Sequence, residues 1–178
     1  MKTVIAGLVG LMLLALPVSA EVKIQEVTSP GGITAWMVEE PSIPFTALEI
    51  RFRGGTSLDA PGKRGATYLM TALLEEGAGD LDARTFAREL ESLAASFSYE
   101  AGDDSVSISA RFLTENRDEA LALLRQTIHD PRFDQDAVDR VRAQVISGLM
   151  SDAKDPGDIA RNAFTKMAYG GHPYATDG

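Results

Sequence analysis

Apolar and polar positions alternate along two stretches near the start of this chain. Thr34 to Glu39 (TAWMVE) and Phe45 to Arg53 (FTALEIRFR) read as strands joined by Pro-Ser-Ile-Pro at 41–44. In the second, Leu48, Ile50 and Phe52 fall on one face and Glu49, Arg51 and Arg53 on the other, the period-2 signature of a half-buried strand. The period then changes. Between Arg64 and Glu76 the residues Ala66, Leu69, Met70, Leu73 and Leu74 recur at helical spacing, with Gly77 placed to stop the helix. A second helix is expected from Ala83 to Ala95, with Asp82 as its N-cap and Phe86, Leu90 and Leu93 on one side.

Alternation returns from Ser96 to Ala101 and from Ser105 to Phe112. Phe97, Tyr99 and Ala101 form one inward set, and Val106, Ile108, Ala110 and Phe112 the other. Gly102-Asp103-Asp104 between them is hairpin chemistry. The remainder is helical. Thr114 caps a run to Ile128 that buries Leu121, Leu124 and Ile128, and Asp134 caps a longer helix from Gln135 to Ala153 with Val138, Val141, Val145 and Leu149 as its core stripe. Asp155-Pro156-Gly157 stops that helix, and a last one, Asp158 to Ala168, packs Ile159, Ala163 and Met167. Antiparallel hairpins separated by helical pairs predict an α+β fold, an antiparallel sheet with helices packed on one side. A doubly wound parallel fold does not match this order.

Composition changes the picture in three places. The first twenty residues carry Lys2, an apolar run from Val4 to Leu16, and then Pro17-Val18-Ser19-Ala20. That pattern predicts a secretory signal peptide over 1–20, cleaved after Ala20, and hence a periplasmic or secreted domain over 21–178. No later apolar run is long enough to span a bilayer. The 17 basic residues face 26 acidic ones, a formal charge of -9 with the signs interspersed, which argues against a nucleic-acid partner. There is no cysteine, so disulfides, thiolate zinc sites and cysteine nucleophiles are excluded. Only two histidines occur, His129 and His172.

Several residues with chemical potential have simpler explanations. His129 ends a predicted helix, where it complements the carbonyl dipole, and His172 precedes a proline in a turn. Glu75 and Glu76 are adjacent and point to different helical faces, which suits a solvated helix end and not a paired acid and base. Ser105, Ser107 and Ser109 read as the polar face of a strand, with no histidine nearby to activate them. Gly31-Gly32 and Gly54-Gly55 read as turn glycines, because the lysine-hydroxyl signature of a phosphate loop is missing.

The run from Arg53 to Ala78 (RGGTSLDAPGKRGATYLMTALLEEGA) resembles the segment of insulinase/pitrilysin-like metallopeptidases that leads a strand through a glycine-containing turn into the inverted zinc helix. Phe86 to Ala101, Asp130-Pro131-Arg132-Phe133 and Tyr169-Gly170-Gly171-His172-Pro173-Tyr174 resemble the same family in the same order. Members that cleave peptides carry H-x-x-E-H on this helix: two imidazoles one turn apart hold zinc, and the glutamate acts as base on its water. The matching positions here are Tyr68, Thr71 and Ala72. Phenol, hydroxyl and methyl groups cannot supply that chemistry. The resemblance places a third ligand, a glutamate, about seventy-five residues downstream. That count reaches the stretch around Ser147 and Gly148, which has no carboxylate.

The resemblance therefore implies an inactive-partner type of chain, with no catalytic residue and no metal of its own. Zinc is expected only in a partner subunit, a homologous peptidase with which this chain forms a heterodimer around a peptide-binding chamber. Tyr68 is the candidate contact to bound peptide, by stacking or hydrogen bonding. The resemblance also implies further strands and a second similar domain beyond Gly178. Two alternatives have different signatures: an active zinc metallopeptidase with its site outside this chain, or a stand-alone periplasmic binding or scaffold domain.

Overall fold

The computed structural model describes residues 22–175; the leader expected over 1–20 lies outside them. The described residues fall into two compact units, one within 1–43 and the other within 44–178. In the first, β1 (Gln25–Thr28) pairs antiparallel with β2 (Thr34–Met37). Gly32, at φ 82°, turns the chain between them, and the Ile33 amide donates to Ser29 Oγ at 3.0 Å. The sequence pattern missed β1, whose four residues QEVT carry a single apolar position. Trp36 on β2 is 82% exposed.

The second unit is built on a three-stranded antiparallel sheet in the order β3-β7-β6, with β3 at Phe45–Arg53, β6 at Ser96–Ala101 and β7 at Ser105–Leu113. The order implied for the first two expected strands is corrected here: β2 pairs with β1, and β3 pairs with β7 along all nine residues. The register explains the choice. Leu48 faces Ala110, Ile50 faces Ile108 and Phe52 faces Val106, so apolar positions share one face of the pair. Glu49, Arg51 and Ser109 lie on the opposite, wet face, where Ser109 Oγ donates to Glu49. The hairpin between β6 and β7 forms as expected, with Tyr99 opposite Ile108.

Helices cover the apolar face only. Leu74, at the end of α1 (Ala66–Leu73), packs with Ala120 and Leu124 of α3 (Arg117–His129) against Tyr99, Ile108, Ala110 and Phe112. On its other side α1 meets α4 (Gln135–Asp152) through Leu73, Ala137 and Val141. Phe86 of α2 (Ala83–Ser92) joins Leu123 and Ala78 in a third cluster. Ala78 belongs to a small hairpin of β4 (Gly77–Ala78) and β5 (Leu81–Asp82), two residues per strand and too short to leave a periodic signal.

Helix ends differ from the expected ones for identifiable reasons. Asp82 caps α2, accepting from the Thr85 amide at 2.8 Å. Thr114 instead opens a 3-10 turn, Thr114–Asn116, and Asn116 Nδ2 donates to the Leu93 carbonyl at 2.9 Å. Asp134 stands at the start of α4, but its carboxylate takes Arg132 at 2.7 Å and caps nothing. Asp155, expected only to stop α4, caps α5 (Pro156–Tyr169) by accepting from the Gly157 amide at 2.8 Å, with Pro156 in the first turn. Within α3 the buried face is Ala120, Leu123, Leu124 and Thr127, and Leu121 is exposed. Ile159 and Met167 of α5 are exposed as well, against the expected packing.

Candidate functional site

The helix expected to carry the zinc motif is positioned by the loop that precedes it. That loop presses against the turn of the β6–β7 hairpin: the amides of Thr56 and Ser57 donate to the carbonyls of Gly102 and Asp103 at 2.9 and 3.1 Å. Gly55 makes this approach feasible, since a Cβ there would lie 1.9 Å from the Gly102 carbonyl oxygen. The N-terminus of α1 has Gly65 at φ 84° and no side-chain cap of its own. Asp59 supplies one from the loop. It accepts from the Thr67 amide at 3.2 Å and from the Thr67 hydroxyl at 2.6 Å. Burial alone would raise the Asp59 carboxyl, but hydrogen bonds from Thr67, Gly65 and Ala66 together hold it below the ordinary carboxylate range.

Tyr68, Thr71 and Ala72 share one face of α1, as their spacing requires. The structure brings all three to one wall of a cavity of about 320 Å³ whose other wall is Tyr99, Glu100 and Ala101 of β6. Tyr68 is 49% exposed, whereas Thr71 is 3% exposed and spends its hydroxyl on the Tyr68 carbonyl at 2.9 Å. Tyr68 also lines a larger cleft of about 1320 Å³, bounded by Val145, Ile146, Gly148 and Leu149 of α4 and by α5. The stretch counted as the third-ligand region thus faces the same cleft as α1. Gly148 lines it; Ser147 is exposed and stands outside that lining.

This donor set does not fit zinc. A buried neutral hydroxyl and a neutral phenol are poor zinc ligands, and a methyl group has no donor atom at all. Glu100 is the lone carboxylate on the walls of the small cavity. Among the described residues no group of three or more His, Cys, Asp or Glu side chains is arranged to hold a metal. His129 closes α3, and His172 Nδ1 accepts from the Tyr174 amide at 3.2 Å with its ring edge-on to Tyr174.

Several contacts around the site left no signal in the sequence. Glu76 forms a two-pronged pair with Arg140 of α4, at 2.9 and 2.5 Å, and so clamps α1 to α4; it is not simply solvated. Glu75 has no such partner, and burial, followed by the charge of Glu76, raises its carboxyl. Tyr174 donates to Asp104, which fastens the chain beyond α5 to the hairpin turn. None of these pairs lies at a spacing that a local pattern reads.

Comparison with known proteins agrees with this architecture. Over 137 residues the chain is 29% identical to the non-peptidase homolog YmxG of Helicobacter pylori, which covers 77% of this chain and 32% of that protein. An uncharacterized zinc protease of Rickettsia bellii is 19% identical over 80% of this chain and 35% of its own length. The chain therefore spans about a third of these relatives. Among solved structures, a peptidase M16 inactive domain from Pseudomonas fluorescens superposes with a TM-score of 0.82 at 30% identity, over 88% of this chain and 38% of that one. A protease from Helicobacter pylori shares the fold, with a TM-score of 0.75 at 18% identity over 87% of this chain and 38% of that one. Residues 35–177 match the sequence profile of the insulinase family, peptidase family M16, and to that family this chain belongs.

Proposed function

We propose that this chain is a non-catalytic member of the family that binds peptide and acts beside a zinc-bearing homologue. One observation carries this reading: the helix that holds zinc in peptide-cleaving members presents Tyr68, Thr71 and Ala72 to a cavity beside β6. The fold around the site is intact while the groups that would hold metal are replaced. Among the described residues β6 is also an edge of its sheet, which favours pairing of its outer backbone groups with an extended peptide. Residues 1–20 support export, which would place both subunits in the periplasm or outside the cell. Among the described residues no helix is long and apolar enough to cross a membrane.

The test is metal analysis and a peptidase assay on the purified chain, alone and after co-expression with a zinc-bearing homologue from the same cell. The expected result is no stoichiometric zinc and no turnover alone, and co-purification as a heterodimer in which the partner holds the metal. Stoichiometric zinc with turnover by the isolated chain would refute the proposal. A chain that stays monomeric beside its homologue would favour a stand-alone binding domain.

A further inference from the structure

We infer that α5 is a strap that sets the width of the larger cleft, latched at its far end by Tyr174 on Asp104. Among the described residues of α5 none is buried, and none belongs to a core cluster. Its side-chain hydrogen bonds close on the helix itself. Asp155 accepts from the Gly157 and Asp158 amides, Arg161 turns back onto Asp158, and the Thr165 hydroxyl donates to the Asn162 carbonyl at 3.1 Å. On the outer side Ile159, Phe164 and Met167 stand in solvent. A helix in a folded protein normally owes its place to a packed apolar face, and an element with so little burial belongs to the mobile end of the structure. What holds α5 over the cleft is therefore found at its two ends.

At the near end the chain passes from α4 into α5 over 153–155, where the Lys154 and Asp155 amides donate to the carbonyls of Ser151 and Asp152. A few element-terminal residues of this kind suffice as a hinge. At the far end the Tyr174 phenol donates to the Asp104 carboxylate. The Tyr174 ring lies edge-on to Tyr169, the last residue of α5, with centroids 5.6 Å apart, so the latch travels with the helix. Its anchor is firm: the Asp104 carbonyl takes the Gly54 amide at 2.7 Å, in the same turn that holds the pre-helix loop. The bond to Asp104 also raises the Tyr174 phenol above its ordinary range, so the donor keeps its proton at neutral pH. Between hinge and latch lies the cleft, with Tyr68 of α1, Val145 and Leu149 of α4, Thr165 of α5 and Tyr174 itself on its walls. Release of one surface hydrogen bond, small in net free energy, lets α5 swing outward with its own structure intact. The strap acts on the cleft whatever occupies it.

The chain has no cysteine, so spin labels go only where cysteines are introduced: Lys63→Cys on the cleft wall and Met167→Cys on the outer side of α5. Double electron–electron resonance on the full chain then reads the distance across the cleft, and hydrogen exchange reads the amides of α5. With Tyr174 in place one main distance is expected. Tyr174→Phe is expected to raise the ratio of a second, longer distance to the first about three- to tenfold, the size of one net hydrogen bond. The α5 amides keep their protection, because the helix moves as a body. Asp104→Ala breaks the same bond from the other side and should give the same distances; it replaces Tyr174→Phe if that variant does not fold. An unchanged distance distribution in the folded variants overturns the inference. A longer distance accompanied by fast exchange throughout α5 overturns it too, since the bond would then support the helix and latch nothing.

Discussion

Tyr99 shows how much chemistry one inward position of a strand can hold. Its hydroxyl donates to Thr127 at 2.8 Å, and Thr127 donates in turn to the Leu124 carbonyl at 2.8 Å, so a buried phenol is fully paired with α3. Burial, reinforced by the charge of Glu75, pushes its pKa up to about 12 from 10.0. The folded protein therefore holds this proton more tightly than the unfolded chain. The associated stability is complete below pH 10 and is lost as pH rises through about 12, a loss on the order of 2–3 kcal/mol. Urea unfolding between pH 8 and pH 12 should show a steeper alkaline decline for wild type than for Tyr99→Phe. Parallel curves would refute the assignment. Period-2 alternation identified Tyr99 as inward, but nothing local singled out Thr127, because helical periodicity favoured Leu121 and Ile128 over it. Asp59 was illegible for a similar reason. It caps α1 from across a loop, eight residues before Thr67, where no capping rule looks.

Among the elements, the contact between the pre-helix loop and the β6–β7 turn leaves no room for a side chain at Gly55. Gly55 has a negative φ of -141°, and what it supplies there is space for the Gly102 carbonyl. Gly55→Ala would drive a methyl group into the Gly102 carbonyl and part the loop from the turn, at a cost of about 1–3 kcal/mol. Hydrogen exchange at the Thr56 and Ser57 amides should accelerate together, since both donate to that turn. Unchanged protection at those two amides would contradict this account. The β6–β7 hairpin was legible in full because its alternation and its Gly-Asp-Asp turn agree. The pairing of β3 was not, because a partner more than fifty residues away competes unseen with a neighbour in sequence. Helices were found within a few residues. Their faces were right in part: Leu124 of α3 and Val141 of α4 are buried as expected, whereas Leu121 of α3, Leu149 of α4, and Ile159 and Met167 of α5, all expected to pack, are exposed.

For the molecule as a whole, the proposal that α1 lacks the groups to hold metal can be tested by building them in. Tyr68→His with Ala72→His restores two imidazoles one turn apart and leaves the buried Thr71 untouched. Gly148→Glu then adds a carboxylate on the other wall of the cleft that Tyr68 lines, at a position where a Cβ meets nothing within 4 Å. The double variant should bind cobalt(II) weakly, and the triple variant roughly tenfold tighter or more, with the absorption of a tetrahedral site. Equal affinity in the two would show that α4 does not face α1 as the ligand count requires. Family membership was legible because motifs spread from Arg53 to Tyr174 fall in one order, and the first of them sets Tyr68, Thr71 and Ala72 at spacings that share one helix face. The cleft itself was not legible, since its walls come from α1, α4, α5 and the hairpin turn, which only the folded chain brings together.

The exposure of Trp36 decides what an optical experiment on this protein will see. It is the one tryptophan in the sequence, and in the native hairpin its indole already stands in water. Its emission colour will shift little on denaturation, so that signal follows the hairpin of the first unit and is nearly blind to melting of the sheet and helices over 44–175. Circular dichroism, or a tryptophan introduced in place of the enclosed Phe86, gives the transition that belongs to the domain carrying the cleft.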